Sequence, residues 1–132
     1  MRNLVKQIGF AIALGIACTA SQALAAGTPL QGLDTDRDGT VDLAEATRAA
    51  AAAFDRLDRD HDGTLDGREM RGRMSARELA AEDPDHDGTL TKDEYAAAVE
   101  KRFRAANRDG DDTLDIREMA SPSGHALRRL VK

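Results

Sequence analysis

The sequence predicts an all-α fold in which short helices join four acidic loops of twelve residues, and neighbouring loops share a connecting helix. Three observations carry this. The pattern Asp-x-Asp-x-Asp-Gly, closed by Glu at the twelfth place, occurs three times in full and once with substitutions. The spacers Leu43–Leu57 and Lys92–Ala106 contain neither Gly nor Pro and are rich in helix formers. Apolar residues also repeat in phase with the carboxylates: Leu30, Phe54, Leu79 and Phe103 stand four places before each loop, and Val41, Leu65, Leu90 and Leu114 occupy its eighth position. A random acidic tract would not keep that phase, so these eight residues are expected in the core.

In chain order, residues 1–26 read as a secretory signal peptide. Arg2 and Lys6 supply a positive start, Ile8 to Ala17 an apolar run and Ala23-Leu24-Ala25 a small-x-small cleavage site. The apolar run falls short of the roughly 20 residues that a membrane span requires, so no span is expected after cleavage. The single cysteine, Cys18, falls in this segment, which leaves the remainder without disulfides; lipid attachment at Cys18 is an alternative, weakened by Gly15 where a lipobox carries Leu. The folded domain is then 27–132. From Gly27 to Leu33 there is room only for a stunted helix before the first loop, residues 34–45, and Leu43 to Leu57 follows as an unbroken helix. The second loop is 58–69. Its exit helix meets Gly72, and Ser75-Ala76-Arg77-Glu78 has the form of a capping box, so the chain kinks or restarts there, at the midpoint of the fold. The third loop is 83–94, with Pro84 at position 2, where no ligand is needed. Lys92 to Ala106 is again helical, the fourth loop is 107–118, and its exit helix is cut short at Ser121-Pro122-Ser123-Gly124. A last amphipathic turn, with Leu127, Leu130 and Val131, caps the core.

Each loop reads as a cation cage. Carboxylates at positions 1, 3 and 5 cannot point at one another without a cation between them, and Glu at position 12 can close the far side with both oxygens. The ligands are Asp34, Asp36, Asp38, Thr40 and Glu45 in loop 1; Asp58, Asp60, Asp62, Thr64 and Glu69 in loop 2; Asp83, Asp85, Asp87, Thr89 and Glu94 in loop 3; and Asn107, Asp109, Asp111, Thr113 and Glu118 in loop 4. Each Thr offers its backbone carbonyl, and position 9, as at Asp42, is placed to hold a water. Gly39, Gly63 and Gly88 at position 6 allow the sharp turn, whereas loop 4 has Asp112 there. In these residues the chain resembles the EF-hand calcium-binding superfamily, to which calmodulin belongs. The resemblance implies Ca²⁺ as the bound ion and calcium binding as the function. Magnesium is the rival ion, but it demands six short ligands in octahedral order and does not suit a bidentate Glu. His61 and His86, at position 4 of separate loops, do not make one transition-metal site.

Other classes fare poorly. The whole chain has 19 basic and 24 acidic residues, and its acidic pI near 5.2 argues against a nucleic-acid partner. No nucleophile and base pair or cofactor loop stands out, so catalysis is not expected. Two binding roles remain: an exported calcium buffer or calcium-stabilised module, periplasmic or secreted, and a calcium sensor that binds an unidentified protein partner through an exposed apolar surface. A sensor needs a Met-rich or aromatic groove, and Met70, Met74, Met119, Phe54, Phe103 and Tyr95 must serve both core and surface. A dockerin-like adhesion module is a third class, disfavoured by four loops rather than two.

The loop starts lie 24, 25 and 24 residues apart, too close for each loop to own two helices. A helix over Leu43–Leu57 spans about 22 Å and holds loops 1 and 2 at opposite ends. In successive rods that fold back, loop 1 is therefore expected to pair with loop 3, or loop 2 with loop 4, but not loop 1 with loop 2.

Overall fold

The computed structural model describes residues 29–132. Residues 1–26, read from the sequence as a signal peptide with Cys18 among them, and the expected start of the domain at Gly27 lie outside the described residues. In order, the elements are β1 (Val41–Asp42), α1 (Leu43–Leu57), β2 (Thr64–Leu65), α2 (Ala76–Glu82), β3 (Leu90–Thr91), α3 (Lys92–Ala106), β4 (Thr113–Leu114), α4 (Ile116–Met119) and α5 (Pro122–Val131). The fold is mostly helical. It is not all-α, because two short antiparallel ladders join the loops in pairs.

The pairing corrects the sequence expectation. β1 lies against β4, with Val41 opposite Leu114, and β2 against β3, with Leu65 opposite Leu90. Loop 1 thus meets loop 4, and loop 2 meets loop 3, in place of 1 with 3 and 2 with 4. The reason is in the connector after loop 2. It is not one rod but a run of hydrogen-bonded turns, Met70 N–H to the Asp66 carbonyl at 3.0 Å and Met74 N–H to that of Met70 at 3.1 Å, reversed at Gly72 with φ +81°. Ser75 then caps α2, its side chain accepting from Glu78 N–H while Glu78 accepts from Ser75 N–H. This bent connector returns the chain to the end it left, so loops 2 and 3 share that end and α3 carries loop 4 back to loop 1. The helix sharing expected from the loop spacing holds for α1, between loops 1 and 2, and for α3, between loops 3 and 4. The stunted entry to loop 1 is a single turn, in which Asp34 N–H donates to the Leu30 carbonyl.

Antiparallel α1 and α3 form the centre, and α5 packs against both. All eight in-phase apolar residues are buried, the position-8 set completely. Phe54 and Tyr95 meet edge to face at 5.8 Å between centroids. Pro122 does more than end the fourth exit helix: α4 stops at Met119, and Ser121 with Pro122 at the first position starts a ten-residue helix where a single turn was expected. Its Leu127, Leu130 and Val131 are buried. The Tyr95 hydroxyl, buried on α3, donates to the Leu130 carbonyl of α5, and burial pushes its pKa up to about 12. No helix among the described residues is long and apolar enough to cross a membrane.

Candidate calcium loops

The four loops turn in the same way. Position 6 has positive φ throughout: +92° at Gly39, +85° at Gly63, +87° at Gly88 and +69° at Asp112. So does position 4, where Arg37, His61 and His86 sit near φ +60° and Gly110 at +76°. Only Gly110 betrays this second left-handed position in the sequence. His61 and His86 are exposed, as expected for side chains that point away from the cage.

Inside each loop the acceptors are matched to backbone donors. Position 5 takes the N–H and hydroxyl of the position-7 Thr: Asp38 from Thr40 at 2.8 and 2.7 Å, Asp62 from Thr64 at 2.8 and 2.8 Å, Asp87 from Thr89 at 2.8 and 2.7 Å, and Asp111 from Thr113 at 2.9 and 3.0 Å. These bonds favour the charged form and hold the Asp38 and Asp111 carboxyls below the usual range. Position 3 accepts from position 5 N–H, as Asp36 does from Asp38 at 3.2 Å and Asp109 from Asp111 at 3.3 Å. Position 1 accepts from position 6 N–H in loops 1 to 3, at 3.1 Å for Asp34, 3.1 Å for Asp58 and 2.9 Å for Asp83. Loop 4 differs. Asn107 Oδ1 there takes the position-4 N–H of Gly110 at 2.7 Å.

Position 9 has a duty that was not anticipated. Asp42, Asp66, Thr91 and Asp115 are the residues that cap the turn or helix beyond their loop, each accepting from the N–H of its own position-12 Glu. Glu45, Glu69, Glu94 and Glu118 reply by accepting from the position-9 N–H at 3.2, 3.3, 2.8 and 3.2 Å. The position-12 Glu is therefore also the third residue of a capping box, which fixes its backbone relative to the exit segment. Its other oxygen takes the position-2 N–H: Thr35 at 2.5 Å, Arg59 at 2.8 Å and Arg108 at 2.7 Å. Pro84 holds position 2 in loop 3 and has no N–H to give. Position 2 thus matters in a way that a ligand count alone misses, and in loop 3 the Thr91 hydroxyl supplies a second donor to Glu94 Oε2, at 2.9 Å.

Three groups of carboxylates converge: Asp34, Asp36 and Glu45; Asp58, Asp60 and Glu69; Asp83, Asp85 and Glu94. In each, one oxygen per residue lies within 4.8 Å of the others. These are positions 1, 3 and 12; position 5 stays with its Thr. Position 1 of loop 4 is an amide, so Asp109 and Glu118 lack the third carboxylate there. Glu45, Asp58, Asp83 and Glu118 are buried. Asp34 Oδ1 and Asp58 Oδ1 are buried without a hydrogen-bond partner. A carboxylate oxygen in that state is unfavourable unless a cation meets it. In loop 3 the crowding shows in opposite shifts: contact with Asp83 raises the Asp85 pKa, and although burial pushes that of Asp83 up, hydrogen bonds from Gly88, Asp85 and His86 bring it below the usual carboxylate range. An all-oxygen donor set of clustered carboxylates fits a hard divalent cation such as calcium.

No curated protein matches the chain. The EF hand family profile matches residues 50–75, which run from the middle of α1 through loop 2 to the cap of α2. Residues 50–75 are thus an EF hand, and the acidic clusters of loops 1 and 3 fit the same calcium-binding loop.

Proposed function

We propose that the protein is an exported, non-catalytic calcium buffer or calcium-stabilised module that binds Ca²⁺ through its four loops. The observation that carries this is the pair of buried, unpartnered carboxylate oxygens, Asp34 Oδ1 and Asp58 Oδ1, each in a group of three converging carboxylates. In each loop the side chains at positions 1, 3 and 5, the Thr carbonyl at position 7 and both oxygens of the Glu would hold the ion; for loop 4 these are Asn107, Asp109, Asp111, Thr113 and Glu118. Calcium supplies the charge that lets the carboxylates share one cage. Glu118 reaches its cage from the short α4, and Asp112 strains the turn, so loop 4 is the weakest site. Because the loops are exported, affinities toward the extracellular end, on the order of 10⁻⁴ M or looser for some sites, are expected.

The alternative is a sensor that opens an apolar groove to a protein partner. Met70, Tyr95 and Met119, each just after a position-12 Glu, are buried, as are Met74, Phe54 and Phe103. Among the described residues, Ile116 is the one large apolar residue that is exposed. This supports the buffer over the sensor. Calorimetric titration with calcium, alongside thermal unfolding with and without chelator, tests the proposal. Four sites and a midpoint that rises with calcium are expected, since a ligand bound only by the folded state adds about 2.7 kcal/mol per site at a hundred times Kd. A midpoint indifferent to chelator would refute it.

A further inference from the structure

α5 connects the two ends of the molecule. At its start, Ser121 donates from its N–H and its hydroxyl to the Glu118 carbonyl, at 3.0 and 2.6 Å, and accepts from Gly124 N–H at 3.1 Å. Gly124 lies so close to that carbonyl that a Cβ would stand 2.3 Å from it and 2.6 Å from the Met119 backbone. The residue that anchors α5 is therefore the residue that closes loop 4. About 15 Å further on, at the end shared by loops 2 and 3, the helix terminus is held by donors to its last carbonyls. These are the Tyr95 hydroxyl to Leu130 and Arg73 to Arg129 at 2.9 Å. Tyr95 directly follows Glu94 of loop 3, and Arg73 lies in the turns that leave loop 2.

We propose that α5 is a latch that couples the loop 4 site to the far pair of loops: its seating between α1 and α3 and the loading of loop 4 favour each other. This rests on the calcium reading above. The sign follows from the seated geometry. With α5 in place, Glu118 is buried and turned into loop 4, its two oxygens held by Arg108 and Asp115 N–H at 2.7 and 3.2 Å. A cation that recruits Glu118 binds the seated arrangement, so by linkage it stabilises that arrangement, and displacing α5 weakens the cation.

Tyr95 is the chain's one tyrosine and there is no tryptophan, so its fluorescence reports the far end of α5 directly. The test combines calcium calorimetry with acrylamide quenching of Tyr95 in the wild-type protein, Gly124→Ala, Ser121→Ala and Glu118→Gln. Gly124→Ala is expected to weaken one site by about five- to a hundredfold, the usual range for coupled sites, and to weaken the far pair of sites in loops 2 and 3 to a smaller degree. Ser121→Ala, which keeps the glycine and adds no clash, is expected to do the same to a smaller degree and carries the test if Gly124→Ala does not fold. Glu118→Gln, measured with the remaining sites saturated, is expected to make Tyr95 more quenchable although the two residues belong to opposite ends. Unchanged calcium affinities in the folded latch variants, or a Tyr95 as protected in Glu118→Gln as in wild type, overturn the latch. A wild-type protein that takes up no calcium overturns the calcium reading instead.

Discussion

Replacing Asp112 by Gly should tighten the weakest calcium site. In loops 1 to 3 a glycine takes position 6 at φ +92°, +85° and +87°, and Asp112 takes it at +69°. A Cβ built on Gly39, Gly63 or Gly88 meets no atom within 4 Å, so in these loops the cost of a side chain at position 6 is one of backbone conformation alone. A left-handed backbone costs an L-residue roughly 1 to 2 kcal/mol, with Asp and Asn suffering least. Glycine opposes part of this gain, because the freer unfolded chain gives back roughly 0.4 to 1 kcal/mol. The net gain is about 0.5 to 1 kcal/mol, or about two- to fivefold in affinity where the loop orders on binding. Gly63→Ala is the mirror experiment and should loosen loop 2 by a similar factor. Calorimetric titration of both variants resolves the change site by site. If Asp112→Gly leaves the weakest site unchanged, and Glu118→Gln leaves it unchanged too, that site is not loop 4 and the ranking of the loops fails.

Asn107→Asp restores a carboxylate at position 1 of loop 4 and should tighten the same site, read by the same titration; no change would mean that Asn107 lies outside the cage. Tyr95→Phe leaves the Leu130 carbonyl without its buried donor and should cost about 1 to 2 kcal/mol, which lowers the thermal midpoint by about 4 to 8 °C per kcal/mol. Gly72→Ala meets no neighbouring atom but sits at φ +81°, so it should destabilise by roughly 1 kcal/mol through backbone strain, measurable by denaturant unfolding at saturating calcium. For pH the sign is set by loop 3. The hydrogen bond to Asp83 raises the Asp85 pKa, so Asp85 keeps its proton to a higher pH than an ordinary carboxylate does, and in acid calcium competes with that proton. Affinity at loop 3 should therefore fall as pH drops through that raised value, starting above the ordinary carboxylate pKa near 3.9. Titrations at neutral and mildly acid pH, in buffers of different ionisation heat, should show proton release on binding at the acid end. For the metal-free fold, the depressed Asp38 and Asp111 values give stability that is present above the ordinary carboxylate pKa and lost as pH falls through the lowered one.

What the sequence determined by itself is what a single loop contains. The converging carboxylates at positions 1, 3 and 12 of loops 1 to 3, the position-6 turn and the inward position-8 residue all lie within twelve consecutive residues, where chain geometry leaves little freedom. The in-phase Leu30, Phe54, Leu79 and Phe103 were legible as core for the same reason, since a fixed helical offset ties them to their loops. The long spacers Leu43–Leu57 and Lys92–Ala106 were legible too, because propensity adds up over fifteen residues without a breaker. Other features needed the assembled molecule. Gly72 and the Ser75 capping box announced a break, but the direction in which the chain turned there decided that loops 1 and 4, and loops 2 and 3, share an end. Position 9 read as a water holder from ligand spacing, and the folded loop adds a second duty to the same side chain, capping of the exit segment by Asp42 and its counterparts. The left-handed position 4 falls on Arg37, His61 and His86, none of which marks a positive φ as plainly as the glycine at position 6 does. Pro122 looked like an end, and only the burial of Leu127, Leu130 and Val131 against α1 and α3 made it a beginning. The Tyr95 to Leu130 bond spans 35 residues, and no local pattern encodes a contact at that separation. Short-range structure follows from backbone sterics and composition, whereas the choice among pairings is made by which apolar faces the bent connector allows to meet.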